Sequence, residues 1–284
     1  MEHLKEFKRQ VEIVAIVYEY PSRYSEFDLI DRFKVSQATI RRDFIILKKM
    51  GVDIRSRKRK VILDLNLKTM NSLLSSYISI NAQNNIKNLK QIRKSLKNKT
   101  ISLFVSILKA INERRYIRIQ YVQNENDIPE LREIIPFYLN STNRSFHVIA
   151  YENNQLNFFR IEGIKSIILT SSKFQGDIPD INDIYRNSWG VYSGGEEIIA
   201  KLKFNKKWES HFEQKIHIEG IEITRDKDSI IVKIPVKLSF EFIMWVMGWG
   251  KEVIVIEPEN LQQEVLTRAN GLIDNHKVNK SVVN

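Results

Sequence analysis

The stretch VSQATIRRDFIILKKMG, Val35–Gly51, reads as a DNA-recognition helix. Ser36 is placed as its N-cap, with the hydroxyl accepting from an amide of the first turn. Ile40, Phe44 and Leu47 recur at i, i+4 and i+7, so they share the face that packs inward. Arg41 and Arg42 leave from other sides, and with Gln37 and Thr39 they are the candidates for base edges in a major groove. Asp43 falls inside the same helix, where an arginine is its expected partner. Just upstream, Phe27–Phe33 predicts a short helix and Lys34–Val35 a tight turn. Helix, short turn, helix with early arginines is the helix-turn-helix arrangement.

Reading outward, Gly51 ends the helix. Asp53–Ser56 and Lys60–Leu63 predict two short strands around Arg57–Arg59. Arg55, Arg57, Lys58, Arg59 and Lys60 concentrate positive charge there, suited to phosphates, which add affinity without sequence information. A hairpin after a helix-turn-helix is a wing. On the other side, Glu6–Tyr20 predicts a covering helix with Phe7, Val11, Val14 and Tyr18 on one stripe.

The charge is unevenly placed. Of the net +11, residues 1–64 hold 15 Lys/Arg against 10 Asp/Glu, and residues 65–115 hold 10 against 1. Residues 116–284 hold 20 against 23. A polyanion is therefore expected to meet the first 115 residues. With 284 residues and 43% hydrophobic content the chain supports two or three packed domains. No apolar run is long enough to span a bilayer, and MEHLKEFKRQ lacks the apolar segment of a secretory signal, so a cytoplasmic protein with no membrane association is expected. Zero cysteines exclude disulfides, thiol catalysis and thiolate metal sites.

Leu67–Ile80, Ile86–Leu96 and Ser102–Glu113 read as helices separated by a polar interval at 81–85, forming either a linker or a dimerisation arm. At Tyr116 the period becomes two. Tyr116–Val122, Leu131–Leu139, Ser145–Tyr151, Leu156–Ile161 and Lys165–Thr170 predict five short strands, a small bent sheet or barrel. After a connector at 179–195 containing Trp189, the order is strand Ile198–Phe204, helix Lys207–Gln214, strand Ile218–Arg225, strand Ser229–Val236, helix Phe240–Met247 and strand Val253–Glu257, closed by a helix at Asn260–Asn275. That is the βαββαβ order of a ferredoxin-like domain, with Asp226–Asp228 as a hairpin turn. The chain is thus expected to be α+β: a winged helix-turn-helix over 1–66, a helical linker or dimerisation segment over 67–115, a small barrel over 116–178, a connector over 179–195 and a ferredoxin-like domain over 196–278.

Several segments in this order resemble the WYL-domain transcriptional regulators of bacteria. VSQATIRRDF is similar to the family's N-terminal signature, and Arg114–Tyr121 resembles the entry strand of the WYL domain. Pro136–Leu139 and Phe159–Ile164 resemble two further WYL segments, and Trp245–Gly250 with Val253–Pro258 resembles the C-terminal WCX extension. The name-giving Trp-Tyr-Leu triplet aligns with Phe146-His147-Val148, which keeps an aromatic, a polar ring and an aliphatic in alternation. The resemblance implies a winged helix, an Sm-like WYL barrel that senses a ligand, and a WCX domain. It also implies a nucleic-acid or nucleotide-type effector, single-stranded nucleic acid included. Arg118, Tyr121, Arg144, Phe146, His147, Phe159 and Arg160 are the ligand candidates, because arginine forks grip phosphates and aromatics stack bases.

These readings combine into a homodimeric, sequence-specific DNA-binding regulator on an inverted-repeat operator, with no cofactor and no metal. A repressor is favoured, since occupying a promoter excludes polymerase without further contacts. The family includes repressors of phage-defence operons, and an activator of a DNA-damage response is the alternative. A non-regulatory architectural protein is the rival of another class, although it leaves the near-neutral two thirds without a role. An enzyme is not expected: the five histidines form no metal-binding pair, and nucleotide-binding and nucleophile-elbow motifs are missing.

Overall fold

Three helices open the chain: α1 (Glu2–Glu19), α2 (Glu26–Phe33) and α3 (Gln37–Lys49). The structure, a computed structural model, describes residues 2–81, 100–124, 126–141, 146–190, 195–210, 212 and 220–278. The expected helix at Ile86–Leu96, most of the polar interval before it, and Arg144 lie outside the described residues. α2 starts at a reciprocal capping box in which Ser25 accepts from the Asp28 amide and the Asp28 carboxylate accepts from the Ser25 amide. It stops at Lys34, whose φ of 52° turns the chain into α3. Gly51, at φ 89°, closes α3 in a conformation that glycine adopts without strain. The hairpin β1 (Asp53–Arg57) and β2 (Lys60–Asp64) follows. Its register pairs Arg57 with Lys60, so the turn is the two residues Lys58–Arg59 rather than three.

α4 (Leu67–Asn81) and α5 (Thr100–Glu113) come next. They are core elements: Met70, Leu73, Leu74, Tyr77 and Ile78 of α4 are buried, and α5 buries nine residues around its circumference. A helix apolar nearly all round belongs inside a fold. One continuous apolar core runs from Val11 and Leu47 of the winged helix through α4 and α5 to Ile117, Phe146 and Phe159 of the following sheet.

That sheet contains β3 (Arg115–Tyr121), β4 (Glu130–Ser141), β5 (Phe146–Glu152), β6 (Gln155–Arg160) and β7 (Ile164–Lys173) in the order β6-β5-β4-β3-β7. β4 is long enough to serve two neighbours. Its first half pairs with β3, and beyond Ile134 it pairs with β5, with a bulge between Pro136 and Tyr138. Bulges bend strands, and this one divides the sheet into two halves. The expected barrel is not closed: among the described residues no ladder joins β6 to β7. β3 alternates as its sequence predicts, with Ile117, Ile119 and Tyr121 buried and Arg118 and Gln120 exposed.

The residues fall into two compact units, Met1–Ile178 and Pro179–Asn284. The second begins with α6 (Ile181–Tyr185), a short helix capped by Asp180 inside the expected connector. Its sheet holds β8 (Glu197–Asn205), β9 (Glu222–Arg225), β10 (Ser229–Lys237) and β11 (Val253–Glu257) in the antiparallel order β11-β8-β10-β9. The fourth strand lies beside the first and the third separates first from second, which is the ferredoxin-like order. Ala200, Leu202 and Phe204 of β8 face Ile234, Val232 and Ile230 of β10 across the register, all buried. α7 (Phe240–Gly248), capped by Ser239, covers them with Phe242 and Val246, and α8 (Glu259–Val278) adds Leu261. Trp189 of the connector packs on Phe242 and Trp245, with ring centroids 5.1 and 4.4 Å apart. Of the first crossover helix, a 3-10 turn at Lys206–Trp208 and helical residues 209, 210 and 212 are described; 211 and 213–219 are not. Among the described residues no helix is long and apolar enough to cross a membrane.

Candidate nucleic-acid interface and sheet site

α3 is held from below and dressed from above. Ile40, Phe44 and Leu47 are buried, as their spacing predicts. Asp43 shares that side, fully buried, and accepts from Arg9 Nε at 2.7 Å, Arg9 Nη2 at 3.1 Å and Gln10 Nε2 at 2.9 Å. The arginine expected for Asp43 therefore comes from α1, and it sets the angle of the recognition helix against its support. Gln37, Arg41 and Arg42 are exposed on the opposite side. Ser36 and Thr39 are joined in the cap, the Thr39 amide donating to the Ser36 hydroxyl at 3.2 Å with the two hydroxyls 3.0 Å apart.

Two carboxylates that no local sequence pattern singles out attend this surface. Glu26 receives Gln37 Nε2 at 3.4 Å and pairs with Arg41 at 3.6 Å. Glu6 pairs with Arg42. Both lie 11 or more positions away along the chain, so nothing local marks them. The wing places Arg55 and Arg57 on one face of β1, level with Ile62 and Lys60 of β2. Lys60 Nζ donates to the Arg23 carbonyl at 3.2 Å, and the Val61 amide donates to the Tyr24 carbonyl at 2.7 Å, which ties the wing to the α1–α2 loop. Lys58 and Arg59 form the wing tip with φ values of 48° and 62°.

The ligand candidates on the five-stranded sheet separate by face. Register brings Asn140, His147 and Arg160 side by side across β4, β5 and β6. Arg160 Nη2 donates to the Gln123 carbonyl, and its amide donates to the Tyr121 hydroxyl at 3.3 Å. Burial, and secondarily the charge of Arg160, lower the His147 pKa to about 4, so the ring is neutral at pH 7. His147 is therefore a neutral polar ring there, and the positive charge of this face comes from Arg160.

Phe146 and Phe159, read as stacking residues, point the other way. Phe146 is fully buried against Phe104 (5.1 Å, edge to face) and Phe159 against Tyr121 (5.1 Å). Because side chains alternate along a strand, the aromatics on the His147–Arg160 face are Phe158 and Tyr138, both half-buried and both level with Ile149. Tyr121 is buried, with Arg132 over its ring at 5.5 Å. Gly163 is required beside it: a Cβ there would lie 2.5 Å from Tyr121 Cε2 and 2.6 Å from the Val122 carbonyl. Arg118 stands apart, exposed and paired with Glu133 at 2.7 Å. The structure thus brings His147 and Arg160 together, leaves Arg118 elsewhere, and assigns Tyr121, Phe146 and Phe159 to the interior.

Comparison with known proteins gives these surfaces a context. Residues 9–60 match an HTH domain, 102–169 a WYL domain and 196–273 a WCX domain. Among solved structures, the chain is similar to the proteasome accessory factor B/C (PafBC) of Arthrobacter aurescens, at 14% identity and a TM-score of 0.28 over 92% of this chain and 47% of that one. It therefore spans about half the length of that protein. It is also similar to a CRISPR Cas-related protein, at 10% identity and a TM-score of 0.47 over 99% of this chain and 86% of the other. No curated protein matches the sequence. With an HTH domain, a WYL domain and a WCX domain in that order, this chain is a WYL-domain-containing protein with the domain order of a WYL-domain transcriptional regulator.

Proposed function

We propose that this protein is a homodimeric transcriptional repressor that reads an inverted-repeat operator with α3 and responds to an anionic nucleic-acid or nucleotide-type ligand on the His147–Arg160 face, without catalysing a reaction. The observation that carries the DNA half is the pairing of an exposed Gln37–Arg41–Arg42 surface with a helix anchored through Asp43 to α1. A reading surface needs such anchoring because base recognition depends on geometry. The wing supplies phosphate contacts beside it. Two copies would place two α3 helices about one DNA turn apart, which is how such modules gain specificity.

The ligand half rests on Arg160, a neutral His147 and the half-buried aromatics Phe158 and Tyr138 on one face. An arginine fork and ring faces suit a phosphate and a base. Such a ligand changes operator binding only to the extent that it binds the DNA-competent and incompetent states differently.

Binding of the full chain to operator-like and random duplexes across a salt series tests the DNA reading. Specific binding that is lost in an Arg41→Ala/Arg42→Ala double variant supports it; equal affinity for both duplexes makes the protein an architectural binder instead. Transcription in vitro from the bound promoter separates repressor from activator. A panel of nucleotides and short single strands that leaves operator affinity unchanged removes the ligand half.

A further inference from the structure

Within the first unit, a cavity of about 270 Å3 opens where the winged helix meets α5 and the sheet. Its polar lining is Glu12 of α1, Arg32 of α2, Ser106 and Lys109 of α5, and Arg115 of β3; Val105 and Leu169 supply apolar wall. Glu12 pairs with Lys109 at 2.5 Å, while Glu113 pairs with Arg115 at 3.0 Å and lies 3.9 Å from Lys109. Arg115 Nε also donates to the Thr170 carbonyl at 2.7 Å. Two carboxylates thus answer two of three cations. Arg32 has no ion-pair partner among the described residues, and the half-buried Ser106 hydroxyl has no hydrogen-bond partner among them.

We propose that this cavity binds a small phosphate group, free or as the monoester of a small alcohol, and that the bound anion ties the winged helix to the WYL sheet. Arg32 and Arg115 approach from the two sides of the junction: Arg32 brings a planar fork suited to phosphate oxygens, Arg115 brings Nη2, its Nε and Nη1 being held by the Thr170 carbonyl and Glu113, and Ser106 adds a hydroxyl donor. At about 270 Å3 the cavity has room for a phosphate or a small phosphomonoester. None of its lining residues belongs to the His147–Arg160 face, so the two sites are distinct. Glu12 and Arg32 belong to the DNA-reading module, whereas Lys109, Arg115 and Leu169 belong to α5 and the sheet. An anion held between them favours one relative placement, and through it one affinity for DNA. The consequence for DNA rests on the regulator reading above; the binding itself does not.

The test titrates inorganic phosphate, and separately ribose 5-phosphate, into the full-length protein at constant ionic strength set with sodium chloride. Calorimetry and thermal unfolding are the readouts, and Arg32→Gln and Ser106→Ala the variants. Neither side chain holds the fold together, so both variants are expected to fold. Saturable binding and a raised Tm in the wild type, weakened about tenfold or more in Arg32→Gln, is the expected result. Tighter binding of the ester assigns the site to phosphomonoesters, and equal binding assigns it to free phosphate. No effect beyond that of chloride, or an unchanged response in Arg32→Gln, overturns the site. Operator affinity measured with and without phosphate tests the coupling: it shifts in the wild type and not in Arg32→Gln. Phosphate binding with no such shift overturns the coupling, and absence of specific operator binding both with and without phosphate is instead a failure of the regulator reading.

Discussion

Arg9 on α1 grips Asp43 inside α3 with two nitrogens, Nε to Oδ2 at 2.7 Å and Nη2 to Oδ1 at 3.1 Å, across 34 positions of sequence. The carboxylate is fully buried and the guanidinium largely so. Removing one partner of a buried pair strands the other charge, so Asp43→Ala is expected to lower stability by about 3 kcal/mol, read as a shifted urea midpoint. Operator binding by the folded fraction weakens too, because α3 loses its fixed angle. A midpoint within error of wild type would show that the pair contributes nothing net.

The carboxylates on the reading surface act in the opposite sense. Glu26 occupies Gln37 and Arg41, and Glu6 occupies Arg42, in the DNA-free chain. Both arginines are well exposed, where ion pairs contribute about 0–1 kcal/mol to stability. Glu26→Gln is therefore expected to leave the Tm nearly unchanged while tightening DNA binding severalfold at low salt, since a repelling charge is removed from the phosphates and Arg41 is released. Fluorescence anisotropy across a salt series measures it. Weaker binding would mean that Glu26 orients Arg41 for its base.

The wing tip sets stability against binding. Lys58 and Arg59 both take positive φ in a two-residue turn, where Asn-Gly is the unstrained choice. A Lys58→Asn/Arg59→Gly variant is expected to gain about 1–2 kcal/mol from relief of left-handed strain. The same variant removes two cations, so the slope of log K against log salt should fall by about 2. An unchanged slope would place the wing tip away from phosphates.

His147 carries a pH signature. Its folded pKa of about 4 lies below the ordinary 6.5, so between those values the unfolded chain binds more protons than the folded one. The contribution is fully present above pH 6.5 and is lost as pH falls toward 4. Relative to His147→Gln, the wild type should lose up to about 2 kcal/mol between pH 6.5 and 5. Because Arg160's charge is the second cause of the shift, Arg160→Gln should raise the value, and an anion bound beside Arg160 should do the same. An NMR titration of the His147 ring reads both, and indifference to Arg160→Gln would separate the two side chains electrostatically.

What was legible from the chain alone was whatever depends on near neighbours. The i, i+4, i+7 stripe of Ile40, Phe44 and Leu47 places α3 inward on one side, because helical periodicity is local. The alternation in β3 and in β10, and the strand–helix order that leads to the β11-β8-β10-β9 sheet, are local for the same reason. The cap at Ser36, the stop at Gly51 and the charge bias toward residues 1–115 needed no tertiary knowledge either.

Tertiary structure decided everything that joins distant positions. It made α4 and α5 core elements rather than a free linker, since their apolar residues find partners only when the winged helix and the sheet are both present. It left the sheet open between β6 and β7 and put a bulge at Pro136–Tyr138, choices set by cross-strand register rather than by either strand's own pattern. It turned Phe146 and Phe159 into the core and Phe158 and Tyr138 toward His147, because a shift of one residue in a strand exchanges its faces. And it made His147 neutral beside Arg160, since burial and a charge across the ladder are properties of the assembled sheet that neither residue type carries alone.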